Sequence, residues 1–227
     1  MIITSTEEYL DNASAGAQEK HRYSTQDQRP TALADIYEPE VNLTIWQRTL
    51  PTTLIESAKH LLQAKPELRI VTTVTPAEAF PYLTNAVGTE HSELVENIAQ
   101  LVDMFCCLFD LRHAGLRLTG LNTAMCPKFH VDRVPCRLVT TYHGSATEWL
   151  PHHRVNREKL GARSNGLPDS ESGVFANQSH IQQMNCGDVA LLKGELWQDN
   201  DGAGLVHRSP ALAHNENRLL LTLDLVD

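Results

Sequence analysis

"PKFHVDRVPCRLVTTYHG", residues 127–144, decides how the second half of this chain is read. His130 and Asp132 stand one residue apart, just ahead of a run that turns apolar and β-branched through Leu138, Val139, Thr140 and Thr141. On a strand, residues i and i+2 point to one face, so the two side chains are expected to project together. An imidazole and a carboxylate placed that way suit a borderline-to-hard divalent ion such as Fe(II), Mn(II) or Zn(II).

His-x-Asp/Glu is a weak signal alone. With 11 His and 28 acidic residues among 227, chance gives one or two such pairs, and the chain has three. His91 and Glu93 open a helical pattern, where residues two apart do not share a face. His214 and Glu216 fall in the polar turn "ALAHNEN". Only His130 and Asp132 have a strand setting.

Two ligands do not make a stable site, and "GLVHRSPALAHNENRLLLTLDL" offers a third. His207 follows Gly-Leu-Val and precedes Pro210, as a residue at a strand end would. Eleven residues later Arg218 heads the apolar run "RLLLTLDL". An arginine at the head of a buried strand is costly unless an anion meets it. A bidentate carboxylate is such a partner.

The texture around these residues separates two halves. "PTTLIESAKHLLQAK" carries Leu54, Ile55, Ala58, Leu61 and Leu62 at helical spacing after Pro51. "SELVENIAQLVDMFCCLFDLRHAG" has a wide apolar stripe, with Ser92 placed to cap its start and Gly115 its end. Cys106 and Cys107 in that helix read as small core residues. "VNLTIWQRTL" and "LRIVTTVTP" read as strands. After Gly115 the β-like runs "LRLTGL", "CRLVTTYHG", "GDVALLKGEL" and "RLLLTLDL" alternate with Gly, Pro, Asn and Asp. Residues 1–35 are polar and read as a loose N-terminal arm. Residues 36–227 read as a single domain: a helix-rich support over 36–115, a β-rich core over 116–227, and a polar, lid-like insertion over 151–182. This segregation predicts an α+β fold, with helices packed on one side of a β-sandwich or barrel.

The bulk numbers narrow the function classes. No run reaches the roughly 18 apolar residues of a membrane span, and no secretory progression opens the chain. Five cysteines, an odd number, do not make a disulfide framework, so a cytoplasmic protein with reduced thiols is expected. A net charge of −9 argues against a nucleic-acid partner. From Lys128 to Arg163, however, seven basic residues face three acids, which reads as a solvated loop or as a positive mouth for a small anion. Oligomeric state is not legible.

His130-x-Asp132, a distant His207 and an arginine about ten residues on together resemble the 2-oxoglutarate/Fe(II)-dependent dioxygenases. The resemblance covers about half the chain, from Leu116 to Val226, and implies a double-stranded β-helix, a jelly-roll or cupin-like core. It implies that His130, Asp132 and His207 hold Fe(II) as catalytic metal ligands. It further implies that Arg218 binds the distal carboxylate of 2-oxoglutarate, with Tyr142 or Thr140 supplying a hydroxyl to it. Two features depart from the family pattern. Leu220 stands where a Ser or Thr often follows the arginine, the hydroxyl appearing only at Thr222. The 75-residue gap from Asp132 to His207 is long. The whole sequence, and "MCPKFHVDRVPCRLVTTYHGSATEWLP" above all, is also similar to a bacterial family known only as a domain of unknown function.

Alternatives stay open at this level. Cys126 shares a face with His130 and Asp132 if the segment stays extended, and a thiolate would shift the preference to Zn(II), as in a cupin-like hydrolase, isomerase or metal-handling protein. Cys126 and Cys136 also read as small packing residues. His143, His152, His153 and His180 read as solvent histidines or substrate contacts. Glu148 and Trp149 are candidates for the mouth, and Arg137 and Arg208 are alternative anion binders. A small-molecule substrate and a non-enzymatic binding module are both compatible with the sequence.

Overall fold

In the computed structural model, which describes residues 20–226, ten strands and four α-helices follow one another in the chain. The strands are β1 (Tyr23–Asp27), β2 (Val41–Trp46), β3 (Arg69–Val74), β4 (Ala114–Leu121), β5 (Cys136–His143), β6 (Glu148–Leu150), β7 (Gln182–Gln183), β8 (Val189–Lys193), β9 (Val206–Arg208) and β10 (Arg218–Leu225). The helices are α1 (Thr52–Ala64), α2 (Pro76–Val87), α3 (Ser92–Phe109) and the single-turn α4 (Asp169–Ser172). Seven strands form one sheet in the order β1-β2-β8-β5-β10-β4-β3, antiparallel except for the β1–β2 pair. Strands β7-β6-β9 form a small antiparallel sheet. The architecture is α+β.

The alternation in "RLLLTLDL" explains how the large sheet is used. Leu219, Leu221 and Leu223 are fully buried in the main core, together with Leu138 and Tyr142 of β5 and the apolar stripes of α1, α2 and α3. The intervening Arg218, Leu220 and Thr222 point to the other face and line a pocket. There a second apolar cluster joins Leu43, Ile45, Val139, Ala190 and Leu192 of the large sheet to Trp149 of the small one. In the central strands β5 and β10 a residue therefore serves either the helix layer or the pocket layer, according to its parity along the strand.

Several sequence expectations change. The support and the β-rich core are not separate layers of chain, because β1, β2 and β3 join the same sheet as β4, β5, β8 and β10. Residues 1–19 of the expected arm lie outside the described residues. The rest of it is ordered: β1 pairs with β2, and a 3-10 helix over Pro30–Tyr37 buries Leu33 and Ile36. Its polar side chains suit an exposed edge strand held by backbone bonds. Helix α3 ends at Phe109, not Gly115, with Asp110 in the left-handed conformation at φ 52°. Cys106 is buried in the core while Cys107 is exposed. Helix α2 was not expected, although Thr75 and Glu78 form a reciprocal capping box at its start. No described helix is long and apolar enough to cross a membrane.

The insertion over 151–182 is not a featureless loop. It folds into short helical turns whose Val155, Leu160, Val174 and Phe175 pack against Phe129, Leu150 and Val206. It also contributes Asp169, whose carboxylate accepts the Phe129 backbone N–H at 2.9 Å. The residue next to His130 is thus fixed by the insertion.

Candidate metal centre

His130 and His207 are held side by side by the backbone. The His130 N–H donates to the His207 carbonyl and the His207 N–H to the His130 carbonyl, both at 3.0 Å. This one reciprocal pair, an isolated bridge at the edge of β9, sets the imidazole centroids 4.6 Å apart. The expected strand through Asp132 does not form; beyond His130 the chain leaves the sheet. Asp132 is instead placed by the turn after β8. The Asp132 carbonyl accepts from Glu195 N at 3.0 Å and the Pro135 carbonyl from Gly194 N at 2.8 Å. A Cβ on Gly194 would collide with the Val134 carbonyl and lie 2.9 Å from that of Asp132, so only glycine lets the two loops approach.

Within this frame one ligand atom each from His130, Asp132 and His207 lies within 4.8 Å of the others. His130 Nε2 is 3.5 Å and His207 Nε2 3.4 Å from the two Asp132 oxygens. The other ring nitrogens face backbone carbonyls: His130 Nδ1 is 2.9 Å from Lys128 O and His207 Nδ1 3.3 Å from Leu205 O. A carbonyl only accepts, so each Nδ1 carries the proton and each neutral ring turns its Nε2 lone pair inward. Two nitrogen lone pairs and a carboxylate then converge on one point. Only a cation reconciles them, either a metal ion or protons taken up by the rings. The donor set fits a divalent metal.

The electrostatics agree with that reading. Burial works against the charged imidazole of His130, but the Asp132 carboxylate and the Lys128 carbonyl outweigh it and its pKa is raised. Burial also works against the Asp132 anion, yet positive charge from the His130 and His207 rings when these take up protons, together with the Arg137 guanidinium, holds it well below the ordinary carboxylate range. Arg137 joins Asp132 Oδ2 at 2.6 Å to both oxygens of Asp224 at 2.6 and 2.9 Å.

Arg218 lines the same pocket as His130 and His207. It is 1 % exposed, and its guanidinium donates only to Thr141 Oγ1 at 3.1 and 3.3 Å and Thr147 Oγ1 at 2.8 Å. Among the described residues no carboxylate pairs with it, and burial pushes its pKa down to about 10. A buried cation held by hydroxyls alone is a ready receptor for an anion.

The hydroxyls at Arg218 are those of Thr141 and Thr147, not of Thr140 and Tyr142. Thr140 and Tyr142 have the opposite parity on β5. Tyr142 is fully buried on the helix side, where its hydroxyl donates to Asn97 Oδ1 at 2.8 Å. The buried Thr140 hydroxyl has no hydrogen-bond partner among the described residues. Leu220 and Thr222 both line the pocket. Cys126 lines it too but is not in the three-residue cluster, and Cys136 is buried in the core behind β5. His143, His152, His153 and His180 are likewise outside that cluster. Arg137 and Arg208 are occupied by protein acids; Arg208 bonds Glu148 at 2.6 Å and Asp169 at 2.9 Å while lying over the Phe129 ring.

Solved structures with a similar overall path share little sequence. A dioxygenase for auxin oxidation in rice is 12% identical, with a TM-score of 0.48, and the match covers 82% of this chain and 73% of that one. Dioxygenase for auxin oxidation 1 from Arabidopsis thaliana, in a binary complex with 2-oxoglutarate, is 7% identical at a TM-score of 0.48, covering 90% and 92%. A Pseudomonas putida prolyl-4-hydroxylase is 10% identical at 0.44, covering 86% and 96%. Among curated proteins no relative matches significantly. The family described as "Protein of unknown function (DUF1826)" matches residues 27–224, nearly the whole of the chain, which therefore belongs to that family.

Proposed function

We propose that this chain is an Fe(II)- and 2-oxoglutarate-dependent oxygenase of a small-molecule substrate, built on a double-stranded β-helix. The adjacent strands β8, β5, β10 and β4 would form its larger wall. Strands β7, β6 and β9 with the His130 segment would form the smaller one. The observation that carries the reading is Arg218: a buried guanidinium without an acidic ion-pair partner among the described residues, opening into the pocket that His130 and His207 also line. A metal site alone does not call for such a group; a metal site that must also hold a dicarboxylate does.

In this reading His130 Nε2, His207 Nε2 and an Asp132 oxygen would hold the metal. Lys128 and Leu205 fix the ring tautomers through their carbonyls, and Arg137 holds the Asp132 carboxylate in place. Arg218 grips the far carboxylate of the co-substrate, oriented by Thr141 and Thr147. When bound, Fe(II) and 2-oxoglutarate supply the oxidising power for attack on a C–H bond. The protein contributes orientation and exclusion of water. Cys126 and the extra histidines, which would favour a zinc site, lie outside the three-residue cluster.

The test is anaerobic addition of Fe(II) and 2-oxoglutarate to tag-free protein, followed by visible absorption. A weak charge-transfer band is expected, absent in His130→Ala and retained in the exposed-histidine control His60→Ala. A well-folded, metal-loaded wild type without the band refutes the assignment.

A further inference from the structure

The pocket wall beside the metal cluster carries a second set of donors besides those around Arg218. On the pocket face of the large sheet the residues stand in rows: Arg218, then Thr119–Leu220–Thr141, then Arg117–Thr222–Val139, then Asp224–Arg137. Successive rows are about 7 Å apart along the strands. Arg137 holds Asp132, so the last row marks the metal end and Arg218 the far end. Arg117 stands one row from the metal end and two rows, roughly 13 Å, from Arg218.

Four arginines line this pocket and no aspartate or glutamate does. Arg137 is matched by Asp132 and Asp224, and Arg208 by Glu148 and Asp169. Arg218 is held by threonines. Arg117 has no ion pair or side-chain hydrogen bond among the described residues, and its Nε is enclosed with no acceptor. Thr119, two residues along on the same face and 8 % exposed, has an enclosed hydroxyl with no partner either. Two neighbouring donors withdrawn from water and unpaired are costly unless something arrives to accept from them.

We propose that the substrate carries an oxyanion, a carboxylate or a phosphate, and that Arg117 and Thr119 of β4 bind it. This rests on the oxygenase reading for the word substrate; the anion site itself does not. Arg117 donates through Nε and a terminal nitrogen, Thr119 through its hydroxyl. The two-row separation lets a second anion sit beside the metal end while Arg218 keeps the co-substrate. Arg117 is a binding and specificity residue for the anionic group of the substrate.

The experiment is calorimetry on the full chain loaded with Mn(II), which binds without turnover. 2-Oxoglutarate is titrated first; then benzoate, phenyl phosphate and the neutral benzamide are titrated with and without saturating 2-oxoglutarate. One of the two anions is expected to bind saturably at one equivalent, at least tenfold tighter than benzamide, and which of them binds tells carboxylate from phosphate. Arg117→Met should weaken that anion tenfold or more and leave 2-oxoglutarate affinity within twofold. Arg117→Lys should recover part of the loss, which separates binding from folding. No saturable anion binding, or equal binding of benzamide, overturns the proposal. So does an anion that Arg117→Met leaves bound and Arg218→Met releases, since it would then occupy the co-substrate position. If wild type does not bind 2-oxoglutarate but still binds the anion through Arg117, the oxygenase reading fails and the anion site stands.

Discussion

Replacing Arg218 by Met should make the ligand-free protein more stable and its 2-oxoglutarate complex less so. Burial pushes the arginine down from the ordinary guanidinium range to about 10, a penalty of about 3 kcal/mol on the charged form. The sign is that of a cation whose folded pKa is depressed: the penalty is fully present below pH 10, hence at every working pH. Against it stand the hydrogen bonds to two threonine hydroxyls, each worth ~1 kcal/mol. Methionine fills most of the same space with apolar atoms, so the net gain is on the order of 1 kcal/mol, about 2–4 °C in Tm for a chain of this size. Thermal melts of both proteins, with and without Mn(II) and millimolar 2-oxoglutarate, test this. Wild type should melt lower when free and gain from the co-substrate, while Arg218→Met should melt higher and gain nothing. A variant that loses several degrees in the ligand-free state would refute the reasoning, because Arg218 would then be a satisfied structural cation rather than a waiting receptor.

Other outcomes follow from the neighbours of the site. Arg137→Met frees the Asp132 carboxylate from its 2.6 Å bond; Mn(II) affinity by calorimetry should fall ~10–100-fold, and an unchanged affinity would show that Asp132 needs no support. Gly194→Ala should push the Asp132–Val134 backbone away from the turn after β8, lowering stability by ~2 kcal/mol or more and weakening metal binding, read by urea unfolding and by the same titration. His152 is pushed down to about 4 by burial and by the charges of Arg157 and Arg22. Its folded state binds the proton less readily than the unfolded chain, so stability should decline as pH falls from about 6.5 toward 4. His152→Gln should flatten that part of the curve of urea midpoints against pH; a parallel curve would assign the slope to other groups.

What the sequence made legible depended on whether a residue's chemistry was decided locally. Arg218 heads an otherwise apolar strand, and that contradiction is visible in eight residues. His130 and Asp132 were singled out by a strand argument that the structure does not follow. They meet because His130 pairs with one residue of β9 and because Gly194 lets a distant turn bind the Asp132 backbone. The expected convergence and the observed one have different causes. Thr140 and Tyr142 were misplaced by a parity error that one neighbour would have corrected: Arg137 faces Asp224 across the strands, and Val139 and Thr141 share its face. The register shift between Leu219 and Leu220 hides this near the end of β5, where Thr141 pairs with Leu220 but His143 with Leu219.

Arg137 and Arg117 were beyond the reach of the sequence for a physical reason. An arginine's role is set by which acids lie near its guanidinium; one partner of Arg137, Asp132, is five positions away, but the other is remote in the chain. Asp224 is 87 positions from Arg137, and nothing in "CRLVTTYHG" announces it. Arg117 is informative through the opposite circumstance. Asp224, the acid one row away on the neighbouring strand, is already bound at both oxygens by Arg137. Asp224, the one acid of β4, β5 and β10, is therefore taken by the residue that steadies the metal ligand. The other two guanidiniums of the pocket face, Arg218 at the far end and Arg117 near the metal end, are left for anions from outside. If Arg137→Met were to release Asp224 toward Arg117, anion binding at Arg117 should fall along with metal affinity. Thus one substitution, followed by both titrations, tests whether the two sites compete for the same acid.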